Sequence, residues 1–309
     1  MTVDSRGADP PSGRRIAFDG GLWTLVGFSG AVAAMAVAAI VIGNAVSDVS
    51  FPAWIGPVAG TAKFGALAGI ALLLLRVEDV HPGEIGLSRR LLGPALLAGF
   101  GLWAALNVVV AALAVALGNQ WGLGLVLEMP VRWPDVPLAL GISLAFDFLV
   151  VALVEEFVFR GYLQTKVIAL LGDDSRARIG LGILTASVVF GILHTPAMIV
   201  QGASPSGIVG TAAFLGLSGL GFGILYELTQ NVYFVALLHA VGNTWPLVAD
   251  VWNWSGTGTV GALVAVLVVY FGVTFAYRSW ALDTDRTPIV DRSDTSRSAR
   301  SDSVDPSSA

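Results

Sequence analysis

Eight apolar runs of roughly twenty residues, at about 22–43, 54–75, 91–117, 137–171, 178–201, 208–226, 231–248 and 257–280, constrain this chain before any other feature does. At 1.5 Å per residue, a helix of that length crosses the roughly 30 Å hydrocarbon core of a bilayer. Inside lipid the backbone must satisfy its own hydrogen bonds, which leaves the α-helix as the form such runs take. The expected fold is therefore all-α, a polytopic membrane protein with about eight transmembrane helices. Hydrophobic residues make up 55% of the 309 positions and charged residues 13%, with mean hydropathy +0.76, well outside the range of a soluble domain.

The basic residues divide between alternate loops. Arg6, Arg14 and Arg15 precede the first run, and Arg76, Arg89 and Arg90 follow the second. Lys166, Arg176 and Arg178 are read as following the fourth, and five arginines from Arg278 to Arg300 follow the eighth. The opposite loops hold only Arg132, so the positive-inside rule predicts cytoplasmic termini and an even number of crossings. Residues 1–20 read as a disordered cytoplasmic N-terminal tail and 21–281 as the transmembrane helical domain, with its motif core at 137–248. Residues 282–309, rich in Ser, Asp and Arg, read as a disordered C-terminal tail. Span one is expected to act as a signal anchor, since residues 1–20 are polar and the first apolar run is too long for a cleavable signal. The chain has no cysteine, which excludes disulfides, thiolate ligands and a cysteine nucleophile.

Against that background, three polar patterns inside the spans require an explanation. The fourth run carries Glu155-Glu156-x-x-x-Arg160, the fifth Phe190-x-x-x-His194 and the seventh His239-x-x-x-Asn243. Each ionised group at the centre of a bilayer helix costs about 2.5–3.5 kcal/mol on insertion scales, so such groups mark function by default. Residues four apart share a helix face, so Glu156 is expected to pair with Arg160 while Glu155, about 100° around the helix, faces elsewhere. If runs four and five form a hairpin turning near Asp173-Asp174, then Glu155 and His194 each lie about twenty residues from the turn, at one depth. Phe190 reads as packing, and His81, beside Pro82 in a cytoplasmic loop, as ordinary surface.

A carboxylate, two imidazoles and a carboxamide converging in a helix bundle suit peptide hydrolysis by activated water. Glu155 and His194 can hold or deprotonate the water, while His239 and Asn243 can donate to an oxyanion. Glu155, His194 and His239 are also a competent Zn²⁺ ligand set, with a fourth position left for water.

These residues resemble the CPBP intramembrane protease family, which includes the type II CAAX prenyl endopeptidases and the Abi bacteriocin-processing and immunity proteins. That family carries EExxxR, FxxxH and HxxxN on successive membrane helices, and all three occur here in order. The resemblance implies an endopeptidase acting on a membrane-associated protein or peptide, prenylated in one branch of the family, with no nucleic-acid partner. It also implies Glu155 as the base that activates water, His194 helping to hold that water, and His239 and Asn243 stabilising the tetrahedral intermediate. Glu156 and Arg160 would then brace the helix. Zinc-dependent and metal-free, glutamate-dependent schemes both remain open.

Two other readings use some of the same residues. Gly216-Leu217-Ser218-Gly219 resembles the GxSG stretch of rhomboid serine proteases, with His239 as partner to Ser218, but that scheme leaves the two glutamates, Arg160 and His194 unexplained. The same glycines serve equally as a close-packing stripe. A proton-coupled transporter would recruit Asp147 and Lys63, yet the chain shows no internal repeat of the kind many transporters carry. A non-catalytic scaffold retaining the motifs is the bland alternative.

Overall fold

The computed structural model describes residues 16, 18–46, 49, 50, 52, 55–119, 145–244, 254 and 256–283. Every regular element among these is helical. Three helices come first: α1 (Gly21–Ala45), α2 (Ile55–Val77) and, after a 3₁₀ turn at Arg89–Leu91, α3 (Leu92–Ala116). The motif helix α4 follows in four joined segments, Asp147–Ala152, Leu153–Glu156, Phe157–Gln164 and Thr165–Leu171. The remainder are α5 (Arg176–Leu193), α6 (Thr195–Val200), α7 (Pro205–Thr229), α8 (Val232–Thr244) and α9 (Gly256–Asp283).

Among the described residues, six helical stretches are long and apolar enough to cross a membrane: those of α1, α2, α3, α5 with α6, α7 and α9. The protein is thus all-α and polytopic. The other two expected spans are helical but differ in kind. The described part of α8 is 13 residues long, and α4 carries Asp147, Glu155, Glu156, Arg160 and Lys166. The first eight residues of the expected fourth span, the last four of the expected seventh, both expected tails apart from Ile16, residues 18–20 and the end of α9, and Arg132 lie outside the described residues. The outer helices expose Leu, Val and Phe side chains such as Leu73, Leu97, Phe100 and Leu217, which suits a lipid-facing surface.

Helix α4 is the axis of the bundle. Two of its segments, Asp147–Ala152 and Phe157–Gln164, are π-helical and flank the single α-turn that carries Glu155 and Glu156. Inserted π-turns are rare and occur frequently at functional sites. All eight residues of Phe157–Gln164 are buried, because α2, α5, α7 and α8 surround them. A surface helix would show one apolar stripe instead.

Glycines set how closely α5 and α7 approach. A Cβ on Gly191 would lie 2.4 Å from the Ala212 carbonyl, and one on Gly223 would lie 2.8 Å from Ile183 Cγ2. Small residues of this kind let membrane helices pack backbone to backbone. The α7–α8 turn is fixed by buried Asn231: its Nδ2 donates to the Leu91 carbonyl (3.2 Å) and the Tyr277 hydroxyl (2.8 Å), while its Oδ1 accepts from the Phe234 amide (3.1 Å). The last contact caps α8, the helix that presents His239.

Lys166 sits elsewhere than the loop the sequence suggested. It is fully buried in the last segment of α4, where its Nζ pairs with the carboxylate of Glu78, and Glu78 also accepts from the Tyr162 hydroxyl at 2.8 Å. Tyr162 precedes Lys166 by four residues and shares its face, the one local sign that this lysine points inward.

Candidate active site

The site is built on the α-turn of α4. Glu156 is completely buried, with its Oε2 3.1 Å from Arg160 Nε, the expected pair one turn apart. Its other oxygen, Oε1, accepts from Nδ1 of His239 at 2.7 Å. The Nε2 of His239 faces Oε2 of Glu155 at 3.9 Å. That separation is too long for a direct hydrogen bond. Glu155 and His239 retain 18% and 13% side-chain exposure, enough to be reached from outside, whereas Glu156 has none.

Helix α7 supplies the wall behind the imidazole. The Phe222 ring stacks on His239 with centroids 5.0 Å apart and planes inclined by 22°. Ser218 lies one turn earlier on the same helix and is not in hydrogen-bonding contact with His239. Both ring nitrogens of His239 are turned toward carboxylates.

His194 occupies the break between α5 and α6, where Pro196 opens the next helix. Its Nδ1 lies 2.7 Å from the Phe190 carbonyl, which can only accept. The proton is therefore on Nδ1, and Nε2 of the neutral ring is left as an acceptor. The Phe190 ring contacts the His194 ring edge-on (4.6 Å) and also underlies the Arg160 guanidinium at 4.6 Å. A continuous path thus runs from Glu155 through His239, Glu156, Arg160 and Phe190 to His194. His194 itself is in hydrogen-bonding or ion-pair contact with neither glutamate. Asn243 is exposed on the last turn of α8, one turn beyond His239 on the same face.

The structure therefore brings Glu155, Glu156, Arg160 and His239 into contact and connects His194 to them through Phe190. Among the described residues no three His, Asp or Glu side chains stand close enough to hold a metal ion. The Glu155, His194 and His239 set is not assembled as zinc ligands in this geometry. Phe222 and the Glu78–Tyr162–Lys166 cluster had no signal in the spacing of the polar motifs, because both depend on which helices become neighbours.

Fold and site together define a polytopic α-helical membrane protein with a glutamate–histidine centre buried among its helices. Residues 137–245, about a third of the chain, match the family model described as type II CAAX prenyl endopeptidase Rce1-like. This segment is therefore similar to CAAX-type membrane endopeptidases. No curated protein and no solved structure matches the chain.

Proposed function

We propose that this protein is an intramembrane endopeptidase that hydrolyses a peptide bond of a membrane-associated substrate with water activated by Glu155. The observation that carries the reading is the placement of His239 between two carboxylates, Nδ1 on Glu156 at 2.7 Å and Nε2 facing Glu155 at 3.9 Å. One carboxylate orients the imidazole. The other is left to take a proton, the division of labour general acid–base catalysis needs.

In the proposed reaction Glu155 accepts a proton from water as the water oxygen bonds to the scissile carbonyl carbon. The carbonyl π pair moves onto oxygen, giving a tetrahedral oxyanion. The carboxamide of Asn243, and His239 when its Nε2 is protonated, are the donors proposed for that oxyanion. Collapse re-forms the carbonyl and breaks the C–N bond, and Glu155 returns its proton to the departing amine. His194 offers Nε2 as a further partner for the attacking water. Glu156, Arg160 and Phe190 act as positioning residues.

The family match favours, as substrate, a prenylated protein ending in a CAAX tetrapeptide, with cleavage on the cytoplasmic side where the basic loops are expected. The test is release of the terminal tripeptide from a farnesylated CAAX peptide by the purified protein in vesicles. Cleavage is expected from the native chain and not from Glu155→Ala; undiminished cleavage by Glu155→Ala would falsify the assignment.

A further inference from the structure

Helix α2 ends in a turn whose key residue is an unusual choice. The Val80 amide donates to the Leu75 carbonyl at 2.9 Å and the Asp79 amide to that of Arg76 at 3.4 Å, closing the helix in the manner of a Schellman cap. The residue at the left-handed position of such a cap is usually glycine. Here it is Asp79, at φ +52°. A carboxylate therefore stands where the backbone alone would favour no side chain.

Asp79 is one wall of a cavity of about 360 Å³, which Leu72, Arg76, His81 and Glu84 also line. The Gly83 amide donates to His81 Nδ1 at 3.1 Å, which places the proton of the neutral ring on Nε2. Glu84 Oε2 accepts from the His81 amide at 2.8 Å, fastening the turn. The cavity thus offers two N–H donor groups, the Arg76 guanidinium and His81 Nε2, beside two carboxylates, Asp79 and Glu84, of which Glu84 is engaged by the His81 amide. Leu72, about half exposed, extends it down the apolar flank of α2. The cavity lies at the C-terminal end of a helix long and apolar enough to cross a membrane.

A guanidinium with a second N–H donor suits a phosphodiester, a neighbouring carboxylate suits an ammonium, and an apolar flank suits an acyl chain. We propose that this cavity binds a membrane phospholipid whose headgroup carries both a phosphate and a primary ammonium, as phosphoethanolamine does. The loop that forms it is fastened to the three helices of the site. Glu78 contacts Tyr162 and Lys166 of α4, the Ile85 carbonyl accepts from the Tyr226 hydroxyl of α7 at 2.8 Å, and the Gly86 carbonyl accepts from Val232 at the start of α8 at 3.2 Å. A bound headgroup braces all three, and this role is independent of the proteolytic reading.

The test is thermal unfolding of the full-length protein in detergent, titrated with dihexanoyl-phosphatidylethanolamine, with the phosphatidylglycerol lipid and water-soluble glycerophosphoethanolamine as comparison arms. Saturable stabilisation by the ethanolamine lipid is expected, with half-saturation about tenfold lower than for the glycerol lipid, the size of one charge-assisted contact. Arg76→Gln should raise the half-saturation for both lipids about tenfold. Asp79→Gly, which suits the left-handed cap and should fold, should abolish the preference between them. Equal response to the two lipids, or variants that titrate like the native chain, would overturn the site. A full response to glycerophosphoethanolamine alone would overturn its assignment to a lipid.

Discussion

His239 is held by Glu156, not by its neighbour Glu155: Nδ1 stands 2.7 Å from the buried Oε1, and Arg160 Nε is 3.1 Å from the other oxygen. Glu156→Gln keeps the shape but removes the charge that orients the ring and balances Arg160. Turnover should fall about 10²–10⁴-fold, by analogy with the loss of an orienting carboxylate in hydrolytic triads. The unpaired guanidinium should also destabilise the fold by about 3–5 kcal/mol. Adding Arg160→Met should recover stability without recovering turnover. Peptide release and thermal unfolding of the two variants separate positioning from folding, and joint recovery of both would argue against a positioning role.

Much of this was legible in the sequence, and the reasons differ by level. Run length and the cost of unsatisfied backbone in lipid fix the helical class, and the four-residue spacing predicts the Glu156–Arg160 pair. What escaped depends on geometry that local spacing does not encode. The π-turns on either side of Glu155 alter the register assumed for a continuous α-helix, and Pro196 breaks the next helix at His194. Lys166 reads as a loop cation because its partner, Glu78, lies 88 residues away. The orienting contact of Glu156 likewise comes from α8, 83 residues on.

The Glu78–Lys166 pair is fully buried, so each charge depends on the other. Lys166→Met should cost about 3–5 kcal/mol by stranding a carboxylate. Glu78→Gln with Lys166→Met removes both charges and keeps an acceptor for the Tyr162 hydroxyl, so most of that loss should return. Unfolding midpoints of the single and double variants check this, and a double variant as weak as the single would show that the ion pair itself is not the source of stability.

Ser218 and the glycines around it distinguish chemistry from packing. The His239 nitrogens face carboxylates and its ring is covered by Phe222, so Ser218→Ala should leave peptide release within about twofold, far from the loss expected for a catalytic nucleophile. Gly191→Ala should instead destabilise by about 1–3 kcal/mol, because its new Cβ meets the Ala212 carbonyl with no flexible side chain to move aside. A serine variant without activity would transfer the chemistry to α7.

The side chains expected to ligate zinc do not form a three-ligand cluster among the described residues. Dialysis against a strong chelator should therefore leave peptide release unchanged, and elemental analysis of the active protein should find less than one zinc per chain. Activity lost on chelation and restored by zinc alone would require Glu155, His194 and His239 to converge more closely than they do here.

The orientation of the chain is open to a direct test, because it contains no cysteine and needs no cysteine-free background. Single cysteines at Arg6, Arg89 and Arg300 lie in stretches the positive-inside rule places in the cytoplasm, and one at Arg132 lies in a loop it places outside. An impermeant maleimide applied to intact cells should label only the Arg132→Cys protein. The other three should label after permeabilisation. Labelling of Arg6→Cys and Arg300→Cys on opposite sides would mean an odd number of crossings, leaving α4 or α8 as the helix that enters the bilayer without spanning it. Since α4 and α8 carry Glu155 and His239, that outcome would also place the glutamate–histidine layer nearer one membrane face.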